Sequence, residues 1–391
     1  MSTNRVLISG ASVAGPALAF WLSKYGFDVT VVERASSMRP GGYAVDFRGS
    51  GMRVLEKMGL VDEIRKNETR TGAITMVDEN DKLIARLPDG FTSGEIEILR
   101  GHLAKILYET TRNRAEYMFG DSIQSISQTP EGVDVTFAGG TTRPFDIVVG
   151  ADGLHSNVRA IAFGEESKFV CHMGYYFAIF TVPDFLELGD AGRYYTQLGK
   201  RVACFGWKND RTAKASFYFA SSKLDYDRRD IAAQKALLRE TFAGMKWHAA
   251  RMLEMMDDAP DFYFDSLAQV KMDSWSSGRV VLLGDAASCA SPVSGMGTSI
   301  AMIGAYVLAG ELKQAGGDYA AAFARYQAQM REFIAEAQKM ADSVTWFIPQ
   351  TRFKLWFSGK LWSWLPQSTL KKMMIEEPAR IASLVALKDY D

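Results

Sequence analysis

The chain has 391 residues, 47% hydrophobic and 23% charged, with a formal net charge of −1. That length suits two or three domains, and the near-zero charge excludes a bulk field that recruits nucleic acid. Three well-separated cysteines, Cys171, Cys204 and Cys289, argue against a disulfide framework or a zinc cluster and favour a reducing, cytoplasmic setting.

Val6-Leu7-Ile8 is the first element, a run short and apolar enough for a strand buried on both faces. The turn GASVAG follows, with Gly10 free to take the tight bend, and VAGPALAFWLSKYG carries apolar residues at helical spacing as far as Gly26. DVTVVERA then reads as a second buried strand ending in Glu33, 23 positions after Gly10. Strand, glycine turn, helix, strand and terminal acid together form a dinucleotide-binding unit, in which the turn wraps the pyrophosphate and the acid accepts from the adenosine ribose. Ser12 stands where the middle glycine is usual. It is the smallest polar substitute, so the turn is expected to bind with altered contacts rather than to fail. A basic residue followed by an apolar run also suits a secretory signal. Gly10, Ser12, Gly15 and Pro16 break that run, and no apolar stretch reaches the ~20 residues a membrane span needs.

FDIVVGADGLHSNVR (Phe145–Arg159) holds another buried strand, Ile147-Val148-Val149, ending in a sharp turn at Asp152-Gly153. In open α/β sheets ligands sit beyond the carboxyl ends of the strands, so Asp152 is placed to meet the same cofactor. From about Phe169 to Phe264 the pattern changes. YYFAIFTV, RYYTQLGKRVACFGW and AKASFYFAS are aromatic-rich and strand-like, with a hairpin at Gly199-Lys200. They predict an antiparallel sheet over the cofactor, one face lining an aromatic pocket to which Phe177 and Phe217 are assigned. Val280 to Leu283 is a third strand of the first type, ending at Gly284-Asp285, whose carboxylate suits hydroxyl donors such as a sugar chain. A loop with Pro292, Gly295 and Gly297 leads to a long small-residue helix from about Thr298, whose N-terminus offers free N–H groups. No second glycine fingerprint occurs, so one dinucleotide is held and any other visits. Residues 317–343 form a long amphipathic helix. The segment VTWFIPQTRFKLWFSGKLWSWLP follows, and no acid occurs from Ser343 to Ile375. It is expected to pack across the pocket mouth rather than to lie on a membrane.

The three motifs, GASVAG, the Asp-Gly turn at Asp152 and the Gly-Asp turn at Asp285, resemble in order and spacing those of the class A flavin monooxygenases, the fold family of para-hydroxybenzoate hydroxylase. GGYAVDFRGSG (Gly41–Gly51), EILRGHL (Glu97–Leu103) and the long tail resemble most the tetracycline-inactivating members. The resemblance implies an α/β fold. A discontinuous Rossmann-like FAD-binding domain (1–168 and 265–318) is joined to an antiparallel substrate domain (169–264), with helices over 319–391 bridging them. It implies non-covalent FAD, NADPH or NADH as a transient reductant, O₂, and a small aromatic or polycyclic substrate oxygenated by a monomeric enzyme. Gly10, Ser12, Val13, Ala14 and Gly15 would hold the pyrophosphate, and Glu33 and Arg34 the ribose end. Arg100 would reach the pyrophosphate or ribityl region, Asp152 and Asp285 flank the cofactor, and Asp46 and Arg48 lie near the flavin. Pro292, Gly295, Met296, Gly297 and Thr298 would present backbone to its ring. Arg201, Phe177, Phe217 and Met296 would face the substrate. Ser12, Met296, Ser299 and Gly304 depart from the usual Gly, Gln, Asn and Asp. The cofactor supplies the chemistry, so no catalytic acid or base and no metal ligand is assigned. Two rival readings remain on sequence alone: a flavin reductase that never hydroxylates, and a protein that sequesters FAD and a drug without turnover.

Overall fold

The computed structural model describes residues 5–38, 42–69, 71–91, 94–207 and 210–391, and of residues 362 and 363 the backbone alone. Gly41, which opens the GGYAVDFRGSG stretch, and the side chain of Trp362 lie outside the described residues.

The structure is mixed α/β. A six-stranded sheet runs in the order Ser276–Ser277, Val280–Leu282, Ile147–Gly150, Arg5–Ser9, Asp28–Glu33, Glu116–Phe119. It is parallel except at the short first strand. Val6, Leu7, Ile8, Val148, Val149 and Val281 are fully buried, as strands covered on both faces must be. Helices Ala14–Lys24 and Gly297–Ala315 lie against one another, and Trp21 meets Tyr306 edge-on at 4.8 Å. Helix Gly297–Ala315 is buried from Ser299 to Leu312 without a break, which its run of small and apolar residues permits and an amphipathic helix would not.

The second body is a seven-stranded, mostly antiparallel sheet in the order Phe262–Val270, Val170–Pro183, Thr212–Ala220, Lys200–Gly206, Gly192–Gln197, Ile74–Val77, Leu83–Arg86. The large sheet draws on residues outside 169–264. Two strands come from residues 74–86, and the edge strand continues to Val270. Short separate stretches join this sheet through backbone pairing alone, which leaves no composition change to mark them. Helices Ile231–Phe242 and Ala249–Met255 cover its outer face.

Strand alternation corrects one assignment. Phe217 lies on that outer face, stacked on Phe180 at 5.6 Å and edge-on to Phe242 at 4.9 Å. Its neighbour Tyr218 faces inward with Phe177, at 6.1 Å. Adjacent side chains of a strand must point to opposite faces, so Phe217 belongs to the core and Tyr218 to the inner wall.

The tail divides. Helix Tyr319–Met340, capped by the Asp318 carboxylate accepting from Ala321 N at 3.0 Å, leads to Val344–Phe347 and to helix Arg352–Trp364. Phe347 packs inward on Tyr218 and Tyr194, at 5.3 and 5.6 Å. Phe353, Trp356 and Trp364 stay exposed, contrary to the expectation that the aromatic tail as a whole covers the pocket.

The last residues return to helix Gly297–Ala315. Its fully buried Glu311 accepts from Arg325 Nε (2.5 Å), Gln329 Nε2 (2.5 Å), Lys388 Nζ (2.6 Å) and Tyr390 Oη (2.8 Å). Burial alone would raise this carboxyl, but those donors outweigh it and hold it at about 2. A depressed carboxyl stabilises the fold above its unfolded value and loses that contribution as pH falls through the folded one. Glu311→Ala is expected to cost about 3 kcal/mol near neutral pH, the scale for breaking a buried pair. The deficit should be read by urea unfolding and shrink below pH 4.5. Limited proteolysis should then release the C-terminal residues early.

Candidate cofactor and substrate site

The carboxyl ends of the parallel strands carry the turns that the sequence singled out. Gly10 N donates to Val32 O at 2.8 Å, with φ +108°, and a Cβ on it would sit 2.5 Å from the Ala151 carbonyl oxygen. A Cβ on Gly15 would overlap the Gly10 carbonyl. Both glycines are thus required by space, Gly10 by its dihedral angle as well, and Gly10 seats the first turn directly on the Asp-Gly turn. Glu33 caps the arrangement, accepting from Ala11 N and Ala35 N, both at 2.9 Å. Arg34 beside it is exposed, and Val13 and Ala14 are buried at the start of the helix.

Ser12 meets Arg100, whose Nη2 and Nε donate to its hydroxyl oxygen at 2.9 and 3.3 Å. The residue in the middle glycine position therefore anchors an arginine over the turn. Arg100 N donates to Tyr43 O at 3.0 Å, and the guanidinium lies 6.0 Å from the Tyr43 ring. Burial would lower its pKa, but the surrounding Tyr43, Tyr263 and Asp285 outweigh that and raise it. Burial conversely lifts the Asp285 carboxyl, with Arg100 opposing. Asp285 lies beside the N-terminus of helix Gly297–Ala315, where a Cβ on Gly297 would come 3.9 Å from its Oδ1. No side chain caps that helix, or helix Ala14–Lys24, so both termini keep N–H groups for an anionic or electron-rich group. Between them Pro292 and Gly295 are exposed and Gly297 and Thr298 half-buried. Ser291 holds φ +75° with its Oγ buried and without a partner. Two glycines with no room for a Cβ, two uncapped helix N-termini, and an acid and an arginine between them fit a dinucleotide.

Other expected contacts are placed differently. Asp152 spends both oxygens within its own turn: Ser156 Oγ donates to one, Asn157 N (2.9 Å) and Val158 N (3.1 Å) to the other. It braces the start of helix Asn157–Phe163, whose cap is Ser156, and the fully buried Arg159 donates to Leu154 O at 2.6 Å and to Ala286 O at 3.0 Å and so ties the second turn to the third. The Asp46 carboxylate receives Arg48 Nε, and Arg48 Nη2 donates to Phe91 O at 2.8 Å. The pair is buried, and Gly51, in the helix Ser50–Met58 that follows, lies against Ser299. Met296 is packed in the core of the parallel-sheet body, which removes its side chain from the pocket wall.

The inner face of the large sheet presents Asp265, Phe177, Tyr218, Arg201 and Thr196 as one cross-strand row. Arg201 is buried, its Nε donating to Thr196 Oγ1 at 2.8 Å, with its guanidinium 4.0 Å from the Phe347 ring and 5.0 Å from Tyr194. Burial lowers it to about 10, and among the described residues no carboxylate pairs with it.

At the other end of the row Tyr263, 39% exposed, donates to Asp265 Oδ2 at 2.9 Å. His155 stands between two acids, Nε2 at 3.1 Å from Asp265 Oδ1 and Nδ1 at 3.0 Å from Glu166. Sequence reading passed over Tyr43, His155, Arg159, Tyr263 and Asp265, because the turns and the sheet pairing bring them together across more than a hundred residues.

The chain matches the FAD binding domain family over residues 3–337 and belongs to it. It is 43% identical to an uncharacterised protein of Mycobacterium tuberculosis over 98% of this chain and 99% of that one. It is 40% identical to a flavin-dependent monooxygenase of Legionella longbeachae, over 87% of this chain and 88% of that one. The crystal structure of tetracycline destructase Tet(51) superposes with a TM-score of 0.87 at 34% identity, covering 99% of both chains. The protein is an FAD-dependent monooxygenase by family.

Two outcomes follow from this geometry. Arg100→Ala should weaken FAD binding 10- to 100-fold, the scale of a lost charge-assisted hydrogen bond, whereas Ser12→Gly should cost less than tenfold. Fluorescence titration of the apoprotein with FAD reads both. His155 would be lowered by burial, but Asp265 and Glu166 outweigh this and raise it, while the same cluster holds Glu166 at about 2. The raised histidine stabilises fully below 6.5 and less as pH rises through its folded value; the depressed Glu166 stabilises above 4.5. The Tm difference between the protein and His155→Gln should therefore be largest between pH 4.5 and 6.5 and narrow at higher pH.

Proposed function

We propose that this chain is an NAD(P)H-consuming hydroxylase of a phenolic or enolic polycyclic compound, with tetracyclines the first substrates to try. The observation that carries the reading is Arg201, a buried cation with no carboxylate partner among the described residues, set in an aromatic wall of Phe177, Tyr194, Tyr218 and Phe347. A buried charge left unpaired is costly, and a flat, electron-rich substrate with an anionic oxygen relieves that cost while stacking on the wall. The likeness to a protein named tetracycline destructase, at 34% identity across the whole chain, supports the class of substrate.

FAD would lie with its pyrophosphate on the Gly10–Gly15 turn under Arg100, its ribose at Glu33, its ribityl chain at Asp285 and its ring at the Gly297 helix N-terminus. When bound and reduced by a nicotinamide nucleotide, it supplies the transfer of one oxygen atom from O₂. The balance is substrate-H + O₂ + NAD(P)H + H⁺ giving substrate-OH + H₂O + NAD(P)⁺. The chain's own residues orient the substrate and exclude water. Arg201 holds the anionic oxygen, and Phe347 closes over the guanidinium. Exclusion of water keeps electrostatic contacts strong and prevents wasteful side reactions.

Purified protein incubated with tetracycline, NADPH and ¹⁸O₂ should consume NADPH faster than without ligand and give a product carrying one ¹⁸O. Ligand-stimulated oxidation without label would indicate a reductase, and binding without oxidation a sequestering protein. Phe347→Ala should retain FAD but raise KM at least tenfold or uncouple NADPH oxidation from product.

A further inference from the structure

Helix Arg352–Trp364 begins where the Thr351 side chain accepts from Lys354 N at 3.2 Å, and it packs on strand Leu83–Arg86. Ser358 on its inner side is buried, and Leu355 and Leu361 are half-buried. The other side carries Phe353, Trp356, Phe357 and Trp364, exposed by 68%, 57%, 36% and 75%. Their spacing, i, i+3, i+4 and i+11, is that of one helical face. Phe353 and Phe357 stack on each other at 5.8 Å, and Trp346 adjoins Phe357 at 6.1 Å. Leu83 and Ile84 on the supporting strand are exposed as well. Isolated exposed apolar residues are ordinary, but a contiguous aromatic face is the mark of an interaction site.

Charge selects among the possible occupants. From residue 343 to 375 there is no acid, while Arg352, Lys354, Lys360, Lys371 and Lys372 are all basic. Lys354 lies 5.4 Å from the Trp346 ring, and Lys360 lies 4.5 and 5.6 Å from the rings of Trp356 and Trp364. The cations thus sit among the aromatics rather than away from them. We propose that this helix docks in the plane of an anionic lipid bilayer surface, its aromatic side entering the headgroup region and its lysines facing lipid phosphates.

A second copy of the chain fits less well. Thirteen residues make a helix about 20 Å long and about 10 Å wide, a footprint on the order of 200 Å². A stable interface buries about 800 Å² per partner. A two-fold pairing of this face would also set lysines against lysines. A lone helix needs no such area to lie on a membrane. No helix among the described residues is long and apolar enough to cross one, so the contact is with the surface. The proposal is independent of the substrate.

The test is co-sedimentation of the FAD-loaded full chain with vesicles of phosphatidylcholine containing one quarter phosphatidylglycerol, beside vesicles of phosphatidylcholine alone. Partition should favour the anionic vesicles at least tenfold, weaken with added salt, and shift tryptophan emission to the blue. Two double variants, Trp356→Ser with Trp364→Ser and Lys354→Glu with Lys360→Glu, should each reduce partition tenfold or more while keeping the flavin absorbance and Tm of the parent. Failure of the parent to sediment, equal binding to both vesicle types, or undiminished binding of both variants overturns the proposal. Self-association in analytical ultracentrifugation that the tryptophan variant abolishes, with no vesicle binding, overturns it in favour of a second copy.

Discussion

Steric closure at the carboxyl ends of the parallel strands is the constraint on which the rest of the structure depends. Gly10 lies against the backbone of Ala151 and Asp152, Gly15 lies against Gly10, and Arg159 binds the backbone of Ala286. Three turns from distant parts of the chain are thereby locked into one edge, the first on the second by backbone contact and the second on the third through the Arg159 side chain. The same closeness brings the starts of helices Ala14–Lys24 and Gly297–Ala315 together beside Gly284, within 3.3 Å of Ala14 and 3.7 Å of Ala301 for a Cβ placed on it. Asp152 illustrates the division of labour. Its carboxylate holds the second turn in shape, as Glu33 holds the first, while Arg100, anchored on Ser12, and Asp285 lie over the turns.

Two arginines give the cleft its electrostatic character. Among the described residues neither Arg100 nor Arg201 has a carboxylate within ion-pair distance, although other buried cations of the chain do, such as Lys214 with Asp261 and Arg48 with Asp46. Burial of a charge is tolerated where a partner or a ligand relieves it. Arg100 is surrounded instead by Tyr43, Tyr263 and the Ser12 hydroxyl, and Arg201 by two aromatic rings and Thr196. The cation nearest the dinucleotide turn and the cation on the aromatic wall are thus both kept without a carboxylate partner among the described residues.

The parallel body was legible because its central strands are buried on both faces and so appear as uninterrupted apolar runs, those at Val6–Ile8, Ile147–Val149 and Val280–Leu283 leading into glycine turns. The antiparallel body was less so. There one face is core and the other is wall, and a one-residue choice decides which. The sequence FYF at 217–219 offers no polar residue to mark the faces, and Phe217 was assigned to the wrong one. Strand 74–77 was invisible because it joins the sheet through Gly192–Gln197, over a hundred residues away, and strand 83–86 enters the sheet by pairing with it. The row from Tyr263 through Asp265 and His155 to Glu166 escaped notice for the same reason. Each residue is ordinary in its own segment, and only the β-sheet register and the second turn make them neighbours.

The tail shows why an aromatic-rich segment need not have one fate. Hydrophobic content alone suggested that all its rings would be covered, but a helix can bury only one side against a single strand. Phe347 precedes the helix, in a short turn that ends at Ile348, and so is free to point into the wall beside Arg201. From Arg352 onward the 3.6-residue repeat takes over. Ser358, one of the small residues of the segment, faces the supporting strand, and the large rings project from the far side with the lysines between them. Burying those rings against the protein would have carried Lys360 inside with them, since it shares their face. The basic residues thus determine which side of the helix stays wet, and the exposed aromatic stripe follows from the charge pattern as much as from the rings themselves.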